Sequence, residues 1–192
     1  MNARGMCRSK GAGFSLVEMV ATLVIGLILA AVALPTLIGA IQGYRLSSTA
    51  QQTANLIDLA RYTAIRRNSV ISLKKTIQNG STVFFVDLKG NSTLDPTDPM
   101  VLLPTDMQIA NGQSLTPGST SMGIGSTQDF VDTITFDYRG TVNFSGGGPT
   151  TTWFLALGFT NQVQYGYRAI TTGPMGQTKL WKSSGNSVWV GM

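Results

Sequence analysis

The 192 residues carry 14 basic and 9 acidic side chains, a net charge of +5, 43% hydrophobic residues, one cysteine and no histidine. Without histidine, and with Cys7 as the lone thiol, the commonest general bases, nucleophiles and transition-metal ligands are missing. Catalysis, a thiolate metal centre and an internal disulfide therefore drop out of the reading, and the length suits one domain plus an anchor.

In chain order, Arg4, Arg8 and Lys10 precede an apolar run from Phe14 to Ile41 whose polar side chains are Ser15, Glu18, Thr22 and Thr36. About 28 residues at ~1.5 Å rise give a helix of roughly 42 Å, more than the ~30 Å hydrocarbon core of a bilayer requires. The basic residues ahead of the run hold that end in the cytoplasm by the positive-inside rule and send everything after Ile41 across the membrane. Glu18 is the anomaly. An ionisable group in a bilayer costs about 2.5–3.5 kcal/mol on insertion scales and persists mainly where function supplies a partner, yet the run contains no cation. Cleavage after Gly13 would create one: an α-amino group on Phe14, four residues from Glu18 and able to reach the Glu18 of a neighbouring copy. Two other readings stay open. A secretory signal cut after Ala31-Val32-Ala33 is opposed by Glu18 and by an apolar stretch of about 17 residues before that site, where about 7–15 is usual. A plain signal anchor is the other.

The segment Lys10-Gly11-Ala12-Gly13-Phe14-Ser15-Leu16-Val17-Glu18-Met19 resembles the processing site of type IV prepilins and type II secretion pseudopilins. The resemblance implies that a prepilin peptidase cuts between Gly13 and Phe14, that Phe14 is then N-methylated, and that Glu18 guides docking into a helical filament. It further implies an inner-membrane assembly platform and other pilins or pseudopilins as partners, reached through the N-terminal helix. On this reading residues 1–13 are a leader, 14–43 a transmembrane helix and 44–192 a periplasmic ectodomain. Removing the leader takes away Arg4, Arg8, Lys10 and Cys7, leaving 11 basic residues against 9 acidic.

Pro35 lacks an amide donor and crowds the carbonyl of Ala31, so the helix is expected to bend or loosen there, with Gly39 and Gly43 adding freedom beyond. Pro35 and Gly39 also fall where the resembled family's helix carries its break. After Tyr44 the pattern becomes amphipathic: Leu46, Ala50, Thr53, Ile57, Ala60 and Ala64 form an apolar stripe opposite Gln51, Gln52, Asn55, Asp58 and Arg61. The helix should end near Arg66-Arg67-Asn68, where basic side chains meet the helix dipole and Asn caps.

Strands are predicted at Val70–Leu73 and Val83–Leu88 around the Asn79-Gly80 turn, with a short piece at Val101–Leu103 between loops. The loops are Leu94 to Pro99 and Asn111 to Gly125. A second β region gives Thr133–Tyr138, Thr141–Phe144, Trp153–Phe159, Val163–Thr171, Leu180–Lys182 and Val188–Val190. Ile134, Phe136 and Tyr138 should face inward by alternation. Trp153, Phe154, Phe159, Tyr165, Tyr167, Trp181 and Trp189 should supply most of the core area.

The expected fold class is α+β, a long N-terminal transmembrane and amphipathic helix packed on an antiparallel β-sheet domain. Leu59-Ala60-Arg61-Tyr62-Thr63-Ala64-Ile65-Arg66-Arg67-Asn68 and Ile134-Thr135-Phe136-Asp137-Tyr138-Arg139-Gly140 look like the GspH/FimT minor pilins and pseudopilins. That resemblance implies a structural subunit of a type II secretion pseudopilus, or alternatively a FimT-like minor pilin of a type IV pilus serving pilus assembly or DNA uptake. No enzyme activity, cofactor or metal is expected. Asp129, Asp132 and Asp137 read as solvated or turn-forming acids; Asp95 and Asp98, with carbonyls of their loop, could hold a hard cation such as calcium, but Asp-Pro pairs are ordinary turn starters and two carboxylates are few for six to eight oxygen ligands. Arg66, Arg67, Lys74 and Lys75 form a candidate phosphate-binding cluster for DNA. The C-terminal Gly-Arg-x-Arg segment that some FimT-like proteins use for DNA is replaced here by Gly176-Gln177-Thr178-Lys179, which weakens that reading.

Overall fold

The computed structural model describes residues 14–111, 122, 124, 127–130, 132–143, 151–183 and 188–192. The leader with Gly13, most of the 111–125 loop, Phe144 and the 146–149 turn lie outside these. The chain divides into two compact units, the first ending at Ala40 and the second spanning Ile41–Met192.

Within the first unit, helix α1 (Leu16–Arg67) starts where the Ser15 carbonyl accepts the amides of Glu18 and Met19 at 3.0 and 3.1 Å. Thr22 and Thr36 fold their hydroxyls back onto the carbonyls of Met19 and Ala33, at 2.9 and 2.8 Å. Neither polar group then needs water, which suits an apolar surrounding. The helical assignment continues through Pro35 and Gly39.

In the second unit the stripe from Leu46 to Ala64 is buried at every expected position. α1 stops in a left-handed cap: Asn68 has φ 48, its amide reaches Ile65 O, and the Ser69 amide reaches Ala64 O, both at 3.2 Å. These are the two bonds of a Schellman motif. β1 (Ile71–Gln78) and β2 (Ser81–Asp87) follow as a hairpin whose turn residues Asn79 and Gly80 have φ 51 and 77. Positive φ at both positions is the type I′ geometry that Asn-Gly favours.

β3 (Met100–Leu102), β6 (Thr133–Phe136) and β7 (Val142–Asn143) complete one sheet in the order β3-β2-β1-β6-β7. The other runs β11-β10-β9-β8-β4, from β4 (Met107–Ile109), β8 (Thr152–Phe159), β9 (Tyr167–Thr172), β10 (Thr178–Ser183) and β11 (Val190–Gly191). β5 (Thr127–Asp129) joins it parallel to β8 beside an otherwise antiparallel ladder. β4 and β5 share one edge of β8, and Asn111 fills the gap between them. Its Oδ1 accepts Ala156 N at 2.6 Å while its Nδ2 donates to Phe154 O at 3.0 Å.

The helix stripe packs on Leu73, Phe84, Ile134, Phe136, Leu155, Leu157 and Ile170, drawn from both sheets. A second cluster of Phe154, Ala156, Tyr167, Ala169 and Trp189 covers the other face of β8 and β9. β8 is therefore buried along its whole length, which explains its nearly unbroken apolar sequence.

Several sequence expectations need correction. Tyr138 is exposed, because β6 ends at Phe136 and Asp137–Gly140 is a turn. Val163–Thr171 is not one strand: residues Val163–Tyr165 form a 3-10 turn, and Gly166 at φ 71 redirects the chain into β9. Tyr165 and Trp181 are half-buried, whereas Phe84, Phe85 and Phe130 are core residues.

Candidate functional site

Phe14 is 76% exposed and Glu18 lies in the first turn of α1. An 18-residue window of this helix has mean hydropathy 2.5 and none of it is buried in the chain. α1 is thus long and apolar enough to cross a membrane. A carboxylate in the first turn gains about 0.3–1 kcal/mol from the helix dipole, and the apolar run around Glu18 offers it no cation.

The four basic residues singled out for DNA do not act as one cluster. On β1, Lys74 and Lys75 point to opposite faces. Lys74 Nζ sits 3.0 Å from Asp87 Oδ2 and Lys75 Nζ 2.9 Å from Asp132 Oδ1. Arg67 donates to Leu88 O at 3.1 Å, near the Lys74 pair, and Arg66 stays exposed. The acids are similarly engaged. Asp87 accepts the amides of Gly90, Asn91 and Ser92 besides Lys74. Burial pushes its carboxyl up, but the bonds from Lys74, Ser92 and Gly90 outweigh this and hold it below its ordinary value.

Asp95 pairs with Asn91 and Lys89, which draw its carboxyl down, and Asp98 accepts the Asp95 amide at 3.0 Å. Asp137 closes its own turn through the amides of Arg139 and Thr141, both at 2.9 Å. Burial raises its carboxyl, and the hydrogen bonds from Thr141 and Arg139 lower it by more. Each of these acids has a structural employment.

Arg168 escaped sequence reasoning because nothing marks it within a β run. It is buried on the helix-facing side of β9, donating to Ser47 Oγ at 2.9 Å and to Tyr167 O at 3.0 Å. Burial draws the guanidinium below its ordinary value. Arg45 pairs with Asp106 at 3.0 Å, so two arginines tie the early part of the amphipathic helix to the β domain. At the other end Arg61 Nε donates to Gly140 O at 3.2 Å. The two short segments that looked family-like in sequence are thus in contact.

An α+β domain entered by an uncovered apolar helix, with an acid in that helix's first turn, defines a pilin-like subunit whose helix fits a membrane anchor. Residues 8–34 match the prokaryotic N-terminal methylation motif, and residues 49–176 match the family model for the type II transport protein GspH. The chain belongs to the GspH family, a family of structural pilin and pseudopilin subunits. Among solved structures, two crystal forms of the Pseudomonas aeruginosa type IV minor pilin FimU are similar. One is 14% identical with TM-score 0.48, covering 75% of this chain and 96% of that one. The other is 16% identical with TM-score 0.45, covering 74% and 100%. A search of curated protein sequences gave no match.

Proposed function

We propose that this chain is a minor pseudopilin, a structural subunit of a type II secretion pseudopilus that supports protein secretion. It is cut between Gly13 and Phe14, methylated on the new N-terminus, and held as a single-pass inner-membrane protein with residues 44–192 in the periplasm. Its N-terminal helix then docks with other pseudopilins on an inner-membrane assembly platform. The observation that carries the reading is Glu18, an acid in the first turn of an uncovered apolar helix whose run from Phe14 to Ile41 contains no cation. In a filament the Phe14 amine of a neighbour would supply the missing cation in a low-dielectric setting, and loosening at Pro35 and Gly39 would let neighbouring helices adjust. The match to a type II transport family supports the secretion role. The alternative role, a type IV minor pilin, uses the same parts, and its DNA-uptake form has less support, since Lys74 and Lys75 are held by Asp87 and Asp132.

N-terminal sequencing and intact mass of the membrane-extracted protein should give a start at N-methylated Phe14. A start at Leu34 would mean a signal peptide instead. Glu18→Ala should leave membrane level and cleavage unchanged while crosslinked co-purification with partner pilins falls about tenfold or more. Equal co-purification would remove the assembly role of Glu18. Loss of secreted proteins on deletion, with pili intact, supports the secretion role; loss of pili overturns it.

A further inference from the structure

At the C-terminal end of α1, Arg61 and Ile65 lie beside Gly140 of the Asp137–Gly140 turn, and Arg61 lies beside Gly176 in the loop before β10. Contact there is close: a methyl group on Gly140 would stand 2.6 Å from Ile65 Cδ1, and one on Gly176 2.7 Å from Arg61 Nε. Within two residues of these contacts along the chain stand Tyr62, Tyr138 and Met175, which are 63%, 49% and 71% exposed. Around them stand Arg61, Arg66 and Arg139, the last with its guanidinium 5.3 Å from the Tyr138 ring centre. Among the described residues none of the three arginines forms a salt bridge. Asp137 is committed to backbone amides. Tyr, Arg and Met are enriched in protein interfaces, where Lys, Asp and Glu are depleted.

We propose that this end of the domain docks a different protein that presents carboxylates around an apolar centre. A lipid surface does not fit, because Arg61 and Arg66 lie roughly 30–37 Å along the helix from Ile41, where the apolar run stops. A second copy is the poorer match: its Asp87, Asp95, Asp106 and Asp132 already pair with cations of their own chain, which leaves Asp58, Asp98, Asp129 and Asp137, of which Asp98 and Asp137 also hold loop amides. Lys74 and Lys75, which could extend the surface into a stripe for phosphates, are paired. The proposal uses none of the residues invoked for filament docking, so it stands or falls separately from that reading.

The test is a benzoylphenylalanine crosslinker placed at Tyr62 or Tyr138 of the full chain in its own cells, with Gln78 on the β1–β2 turn as control. Both positions should give the same discrete protein adduct, absent at Gln78, and peptide mapping should place it beside Asp or Glu residues of the partner. Arg66→Glu with Arg139→Glu should weaken the adduct about fivefold or more with an unchanged melting temperature, and reversing the mapped acids to Lys should restore it. Should the double variant unfold, Arg66→Glu alone gives the same readout. Adducts only with a second copy, with lipid or with nucleic acid, or an adduct indifferent to charge reversal, would overturn the proposal.

Discussion

Asp87 carries four hydrogen bonds on a side chain that is 1% exposed, and its carboxyl is held below the ordinary value near 3.8. A depressed folded-state pKa contributes stability above the unfolded value, and that contribution is lost as pH falls toward the folded one. Melting temperature should therefore drop on acidification from about pH 5 to pH 3. In Asp87→Asn it should start lower and vary less. Removing the charge leaves Lys74 and three loop amides poorly served, a cost of about 2–4 kcal/mol at neutral pH. Asp132→Asn is the contrast: its side chain is 66% exposed opposite Lys75, so about 0–1 kcal/mol is expected. Urea unfolding of both variants checks the difference, and equal losses would remove the special place given to Asp87. The settings of Glu18 and of Lys74 differ in how visible they are from sequence. Glu18 stands out because its neighbours along the chain are all apolar, a local property. Lys74 and Lys75 looked like a free basic pair because Asp87 and Asp132 are 13 and 57 positions away in the sequence, brought near only by the β1–β2 and β1–β6 pairings.

The elements that carry their own periodicity or turn chemistry were legible. The helix stripe, the Asn68 cap and the Asn79-Gly80 turn each rest on interactions within a few residues. What was missed rests on partners far along the chain. The predicted first strand stopped at Leu73, but β1 runs on to Gln78 with β2 paired along it, and β4 and β5 are three-residue pieces whose strand pairing, among the described residues, is to the edge of β8. The joint between Arg61, Gly140 and Gly176 is another such case, and it yields a test. Gly140 and Gly176 have φ of 76 and 75, a region costly for other residues. Gly140→Ala should lose about 2–3 kcal/mol, from the backbone and from the collision with Ile65. Since Ile65 is a side chain that can be trimmed, Ile65→Ala should recover about half of that loss in a double-mutant cycle. Gly176→Ala meets the Gly140 carbonyl oxygen, so trimming Ile65 should not rescue it. Additive losses for Gly140→Ala and Ile65→Ala would show that the turn is not seated on that side chain.

At the scale of the whole molecule, the described core begins at Leu46, and every buried apolar residue lies in the unit from Ile41 to Met192. Among the described residues, those before Ile41 contribute exposed apolar surface and no core. Within proteins most helical stability comes from tertiary packing of an apolar face, and here the buried face from Leu46 to Ala64 is complete without the residues before Ile41. The early turns of the remaining helix are further held by Arg168 on Ser47 and by Arg45 on Asp106. A fragment starting at Ile41 should therefore be soluble and monomeric, with one cooperative thermal transition and far-ultraviolet circular dichroism of a mixed α and β protein. Chromatography with light scattering and a thermal melt test this directly. The full chain in detergent should melt within a few degrees of the fragment, because removing residues before Ile41 removes nothing from the described core. A fragment that aggregates, or melts far below the full chain, would mean that the apolar half of α1 supports the β domain as well as anchoring it.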